Sequence, residues 1–224
     1  MTTHTTVLDS FYEPAVCAAL REQFTSADPR PVLVCDVLDR TLATEVVGVL
    51  KASMGWVRDY FVEEFLGGPR RVGSEEFYAA SHLAQFGTWE ELSLSSVDQP
   101  ERGLLQEVMD VLSDAAFVAC LRNLGEQGAA MPSVKIRRYG PGDFFSPHSD
   151  GNTGVGLLLY LTNPDWRSGD GGRFVYESEG TEARKFIPRF NSALVFPYRE
   201  RAMHWVERMT PQAGIRYTLC FDYV

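Results

Sequence analysis

The sequence predicts an α+β protein in which helices come first and a β core of short antiparallel strands follows. Three observations carry that reading. Apolar residues in the first 130 positions recur at helical spacing. From about Ser133 onward they fall in short extended runs, and turn clusters such as GPGD, SGDGG and QAG separate those runs. Many short strands at such spacing suit an antiparallel sandwich or barrel, jelly rolls included, with the preceding helices packed on one side of it. At 224 residues and 45% hydrophobic the chain can bury one substantial core, and no Pro-, Gly- or Ser-rich linker divides it. It is read as a single domain, with a mainly helical support region over about 1–130 and the β core over about 131–224.

The elements are justified in chain order. Val16, Leu20 and Phe24 lie four apart, as do Leu42, Val46 and Leu50. Between Phe86 and Pro100 the run FGTWEELSLSSVDQP is polar and without period, which predicts a loop. The clearest helix is predicted near 101–124, where Leu104, Leu105, Val108, Leu112, Ala116 and Ala119 form a stripe that Gly125 ends. Thereafter VKIRRY alternates, GLLLYLTN is almost wholly apolar, and GRFVYES, ARKFIPR, SALVFPY, MHWVERM and IRYTLCFDYV follow as further strands.

Charge and composition exclude several classes. Against 21 basic residues stand 30 acidic ones, a net charge of −9, where a nucleic-acid partner would call for a basic stripe. No run approaches the length of a membrane span, and the apolar stretch Val155–Leu161 contains Gly156 and is strand-sized. The segment MTTHTTVLDSFYE lacks the basic-then-apolar pattern of a signal peptide. Cys17, Cys35, Cys120 and Cys220 lie far apart with no CxxC pair, which suits reduced thiols and a cytoplasmic location.

The stretch SPHSDG, residues 146–151, carries the first chemical signal. His148 and Asp150 are two apart, so on a strand they would project to the same side and present an imidazole and a carboxylate to one divalent ion. An HxD pair alone is weak evidence, because such pairs are frequent and a solvated turn whose Asp caps backbone amides accounts for it. His204, 54 residues after Asp150 in a strand-like run, changes the balance. Two His and one carboxylate fit the facial triad that holds non-haem Fe(II) and leaves coordination positions open. A structural zinc site would close its shell with four ligands, usually thiolates among them. Twelve residues further, Arg216 shares a strand face with Thr218. A guanidinium inside a barrel suits a bidentate grip on a carboxylate and is costly when unpaired.

The segment from Val134 to Val224 resembles the catalytic core of Fe(II)/2-oxoglutarate-dependent dioxygenases, in particular the prolyl-hydroxylase branch. RRYGPGDFFSPHSDG, LLLYLTNPDW, GDGGRFVYE and HWVERMTPQAGIRYTL carry the resemblance, over about 90 of the 224 residues. It implies a double-stranded β-helix, or jelly roll, flanked by N-terminal helices. It also implies iron ligation by His148, Asp150 and His204 and a C5-carboxylate contact from Arg216 assisted by Tyr160. Tyr139 would lie near the metal-chelating end of the cosubstrate, and Thr218 would be a weaker cosubstrate contact. The implied reaction is hydroxylation of an unactivated C–H bond with Fe(II), 2-oxoglutarate and O2, ascorbate in support, and succinate and CO2 as coproducts. The substrate would be a prolyl, peptidyl or amino-acid-like molecule. A small-molecule hydroxylase or desaturase of the same superfamily stands beside that reading, and behind both stands a metal-binding β-barrel without turnover. With a carboxylate at Asp150 the iron lacks the position that a halogenase gives to halide. The nucleobase-demethylating pattern expects a second Arg where this chain has Asp222. Phe145, Trp166, Arg173, Arg199 and Trp205 are candidates for the substrate surface, Arg173 standing where many relatives have an acidic or apolar residue.

Overall fold

A computed structural model describes residues 14–26, 30–64, 67–122, 133–151 and 154–223, without the side chains of 14–17, 116, 120 and 122. The expectations for the N-terminal segment, Val16, Ala116, Gly125, Cys17 and Cys120 lie outside that description. The elements run α1 (Pro14–Thr25), β1 (Val32–Cys35), α2 (Arg40–Ala52), β2 (Trp56–Glu64), β3 (Gly68–Val72), α3 (Ser74–Ala79), β4 (Gln85–Leu92), α4 (Glu101–Leu112) and α5 (Ala115–Arg122). Then come β5 (Ser133–Tyr139), β6 (Phe144–His148), β7 (Val155–Tyr160), β8 (Phe174–Ser178), β9 (Arg184–Phe186), β10 (Ser192–Pro197), β11 (Ala202–Val206) and β12 (Arg216–Tyr223).

Neighbouring strands follow the order β1-β10-β7-β12-β5-β4-β6-β11-β8-β9, antiparallel throughout, while β2 adds to β4 and carries β3. Strand β4 joins the two halves of the roll. Its C-terminal residues Glu90–Leu92 pair with β5, and Gly87 and Thr88 pair with β6. The result is a nearly closed, barrel-like jelly roll with helices against it, the architecture of the double-stranded β-helix.

Strand periodicity divides the side chains between two environments. Leu157 and Leu159 of β7, Ala193 and Val195 of β10, and Leu219 and Phe221 of β12 join Leu42, Val46, Leu105, Val108 and Leu112 of the helices in one cluster. The residues between them, among them Leu158, Phe196, Arg216 and Thr218, face the interior of the roll. Strands covered on both faces read as continuous apolar runs, which is why GLLLYL shows no alternation. Each fully buried aliphatic side chain in the cluster contributes about 1.5–3 kcal/mol of transfer free energy. Helix α2 is anchored at its start by Asp39, whose carboxylate accepts from the backbone amides of Thr41 and Leu42.

Two expectations are corrected. The helix expected over 101–124 is two helices, α4 and α5, broken at Ser113 and Asp114. Asp114 restarts the helix: its carboxylate accepts from Phe117 N at 3.4 Å and its carbonyl from Val118 N at 2.9 Å. Ser and Asp compete for backbone groups and so favour helix ends over interiors. The region 1–130 is also less helical than expected, because β1 to β4 lie within it. The loop assigned to 86–100 contains most of β4, where five consecutive residues, Gln85–Trp89, are buried. A strand buried on both faces by aromatic and small residues gives no period-two signal to read.

Candidate active site

Strands β6 and β11 bring the two imidazoles together. They pair with His204 opposite His148, and directly opposed residues stand side by side on one face. The ring centroids are 4.3 Å apart. Strand β6 ends at His148, so Asp150 lies in the turn that follows rather than on the strand. The turn, closed by Gly151 at φ 117°, returns the carboxylate to the rings. Oδ2 is 3.1 Å from His204 Nε2 and Oδ1 is 3.8 Å from His148 Nε2. One ligand atom from each of the three residues lies within 4.8 Å of the others, a grouping able to hold a metal ion.

The protonation states suit that use. The carbonyl of Ser146 accepts from His148 Nδ1 at 2.8 Å, which leaves the Nε2 lone pair for the site. Burial, reinforced by the neighbouring His204, holds the His148 imidazole down to about 4, so it is neutral at neutral pH. Burial alone would raise the Asp150 carboxyl, but the hydrogen bond with His204 and the nearby imidazoles outweigh it and bring it to about 2. Phe145 stacks 3.9 Å from the His148 ring, while Phe174 and Phe196 flank His204 at 5.5 and 5.0 Å.

The second half of the site is on β12. Arg216 is 1% exposed and pairs in register with Tyr139 of β5, while Thr218 pairs with Tyr160 of β7. The rings of Tyr139 and Tyr160 hold the guanidinium between them at 4.9 and 5.0 Å. Arg216 Nε and Nη1, Tyr160 OH and Thr218 Oγ1 are all buried and lack a hydrogen-bond partner among the described residues. Such a cluster costs several kcal/mol unless something satisfies it. A planar carboxylate would accept from both guanidinium nitrogens and from the hydroxyls. Burial, against the pull of Arg216, pushes the Tyr160 phenol up to about 12, so it stays a neutral donor.

Triad and clamp open on one cavity of about 170 Å³, far more than the roughly 15 Å³ that a single water needs. His148, Asp150, His204, Arg216, Tyr139 and Thr218 line it, and Tyr160 backs Arg216. The site therefore joins a two-His, one-carboxylate metal grip to an unsatisfied carboxylate clamp.

Residues 134–221 match the family model described as the 2OG-Fe(II) oxygenase superfamily. That stretch spans β5 to β12 and carries His148, Asp150, His204 and Arg216. Solved structures share its fold at low identity. The prolyl hydroxylase from Trichoplax adhaerens, solved in complex with a hypoxia inducible factor peptide fragment, is 19% identical with a TM-score of 0.61. That likeness covers 93% of this chain and 89% of that chain. A Pseudomonas putida prolyl-4-hydroxylase is 14% identical with a TM-score of 0.61, over 92% of this chain and 97% of that chain. The non-heme alpha ketoglutarate dependent epimerase of nogalamycin biosynthesis gives 14% and 0.61, over 95% and 83%. No curated protein matches the sequence.

Of the expected substrate-surface residues, Phe145 and Trp205 line the cavity. Trp166 borders a separate hollow, Arg173 is bound to Glu207 through Nε and Nη2 at 2.5 and 3.0 Å, and Arg199 donates to the Phe24 carbonyl. Sequence reading missed Arg137, Trp89 and the Lys135–Asp222–Tyr198 network. The alternation in VKIRRY was signal enough to place Lys135, Arg137 and Tyr139 on one face. Nothing in the sequence pointed to Trp89.

Proposed function

We propose that the protein is an Fe(II)/2-oxoglutarate-dependent oxygenase that hydroxylates an unactivated C–H bond of an amino-acid-like, prolyl or peptidyl substrate. Fe(II) would be held by His148, Asp150 and His204, and 2-oxoglutarate by Arg216. The observation that carries this reading is the unsatisfied Arg216 guanidinium, which ends the cavity that the metal triad opens on. When bound, the metal and its diacid cosubstrate supply the oxidising chemistry, with O2 consumed and succinate and CO2 released.

The residues of the chain bind, orient and exclude water. Arg216 would offer two parallel N–H donors to the distal carboxylate, with Tyr160 and Thr218 completing that group's hydrogen bonds. Tyr139 packs against the guanidinium and lines the cavity, where it would contact the metal-chelating end of a bound diacid. His148 is kept neutral, with its Nδ1 proton held by Ser146. Phe145, Phe174 and Phe196 line the site with apolar surface, and a dry site strengthens each electrostatic contact within it. Ascorbate fits as a supporting reductant for the iron. A small-molecule hydroxylase or desaturase is the alternative that the same site serves.

Anaerobic calorimetric titration with Fe(II) and then 2-oxoglutarate tests the reading, followed by admission of oxygen and assay of succinate. Both ligands should bind in sequence, and His204→Ala should abolish metal uptake. Intact Fe(II) binding and succinate formation in His204→Ala would show the ligand assignment to be wrong.

A further inference from the structure

With Arg216 given to the cosubstrate, two more cations border the cavity, Lys135 and Arg137, which alternate with Tyr139 along β5. Lys135 is already neutralised. Its Nζ donates to Asp222 at 2.8 Å, and that carboxylate also accepts from Ser133 and from Tyr198 OH. Arg137 is differently placed. Its side chain is only 14% exposed, and the rings of Trp89 and Phe145 hold its guanidinium at 4.6 and 5.8 Å. Its acidic neighbour is Glu91, directly opposite on β4, which reaches Nε at 3.4 Å and is itself 39% exposed. Glu91 borders a neighbouring hollow rather than this cavity, so it steadies one edge of a guanidinium whose charge it only partly offsets.

The position of Arg137 relative to the metal triad gives this charge a use. Phe145 neighbours both, its ring centroid 5.8 Å from the guanidinium carbon of Arg137 and 3.9 Å from the His148 ring, tilted at 31° to it. The cation thus stands one aromatic ring away from a metal ligand. Charge balance points the same way. A diacid dianion offsets a divalent ion, Arg216 offsets Asp150, and Asp222 offsets Lys135. Arg137 is the cation left over, in surroundings where a desolvated guanidinium gains most from an anionic partner.

We propose that Arg137 recognises the substrate, and that the substrate is a small molecule bearing a free carboxylate on an apolar body. The carboxylate accepts from the terminal nitrogens of Arg137, and the body lies along the wall formed by Phe145, Trp205 and Val206. This rests on the Fe(II)/2-oxoglutarate reading above and narrows it. An internal prolyl residue of a polypeptide has no carboxylate to offer, whereas a free amino acid or other organic acid does.

The test uses the full chain loaded anaerobically with Mn(II) and 2-oxoglutarate. It is titrated with matched acid and amide pairs: L-proline and L-prolinamide, L-leucine and L-leucinamide, benzoate and benzamide. At least one acid should bind tenfold or more tightly than its amide. Arg137→Gln should erase that preference, Arg137→Lys should keep part of it, and Glu91→Gln should tighten acid binding several-fold by removing the competing carboxylate. The 2-oxoglutarate titration of the same sample separates the two readings. Failure of the unmodified protein to bind 2-oxoglutarate brings down both. Normal 2-oxoglutarate binding with no acid preference overturns the role of Arg137 alone, as does an Arg137→Gln variant that weakens 2-oxoglutarate and spares the acids. Should Arg137→Gln fail to fold, Glu91→Gln decides, and unchanged acid affinity in it overturns the proposal.

Discussion

Arg216 is a side chain whose burial opposes stability in the ligand-free protein, and the clamp proposed for it gives that cost a use. Its guanidinium is buried with Nε and Nη1 unsatisfied, a state that folding does not favour. Arg216→Met keeps the apolar stem and removes the orphaned donors. The ligand-free variant should therefore melt several degrees higher than the parent, while 2-oxoglutarate affinity falls by about a hundredfold, as for other buried charged hydrogen bonds. Differential scanning calorimetry and titration measure the two effects, and a lower melting temperature would mean that Arg216 has a partner in the free protein. His148 opposes stability in another way. An unfolded chain takes up the imidazole proton near 6.5, but burial delays that uptake in the folded state to about 4. Between these values the unfolded state binds more protons, so stability falls as pH falls from 6.5 to 4. The loss for this group is about 3 kcal/mol. Urea midpoints of metal-free protein across that window should show the slope, and His148→Gln should flatten it.

At the scale of elements, what positions the site is the register of five strands and the seams between layers. Asn191 closes one seam. It sits at φ 54° before β10, and its buried side chain accepts from Leu38 N at 2.9 Å and donates to Leu38 O at 2.6 Å. Its own carbonyl accepts from Val37 N at 3.1 Å, which ties the start of α2 to the sheet. Asn191→Ala would leave two buried backbone groups unpaired at a cost of about 2–4 kcal/mol, measurable by chemical denaturation. A glycine sets another contact. A Cβ on Gly156 would lie 2.3 Å from the Phe196 ring, and that ring packs 5.0 Å from His204. Gly156→Ala should displace Phe196 into the cavity and weaken metal binding roughly tenfold, without touching a ligand directly. Calorimetry with Mn(II) checks it, and unchanged affinity would show that the ring yields elsewhere.

For the whole molecule, the helical layer packs on one half of the roll, and the polar inner face of that same half supplies Arg216, Tyr139, Tyr160 and Arg137. The other half supplies His148 and His204, with β4 joining the two. Ligands that bridge the halves should therefore stabilise the fold as a unit. With metal and 2-oxoglutarate at about a hundred times their dissociation constants, mass action contributes about 2.7 kcal/mol per ligand, a rise in melting temperature of about 5–10 °C. Arg216→Met should keep the increment from the metal and lose the one from the diacid. A thermal shift from 2-oxoglutarate in that variant equal to the parent's would place the diacid elsewhere.

The sequence determined the chemistry and the class of fold. HxD, the distant His204 and Arg216 are residue types whose pattern states a use, and the broken apolar runs after Ser133 state a β core. Alternation along VKIRRY and IRYTLCFDYV already sorted side chains into two faces, because a strand's period of two is a local property. What only the tertiary structure decided was which groups meet. It buried β4 on both faces and so hid it as a strand, cut the long helix at Ser113 and Asp114, and carried Asp150 off the strand without removing it from the site. It also assigned Lys135 to Asp222 and left Arg137 only partly offset by Glu91, although both lie on the same face of one strand. Their difference comes from partners 87 and 46 residues away, and no local period encodes a partner at that distance.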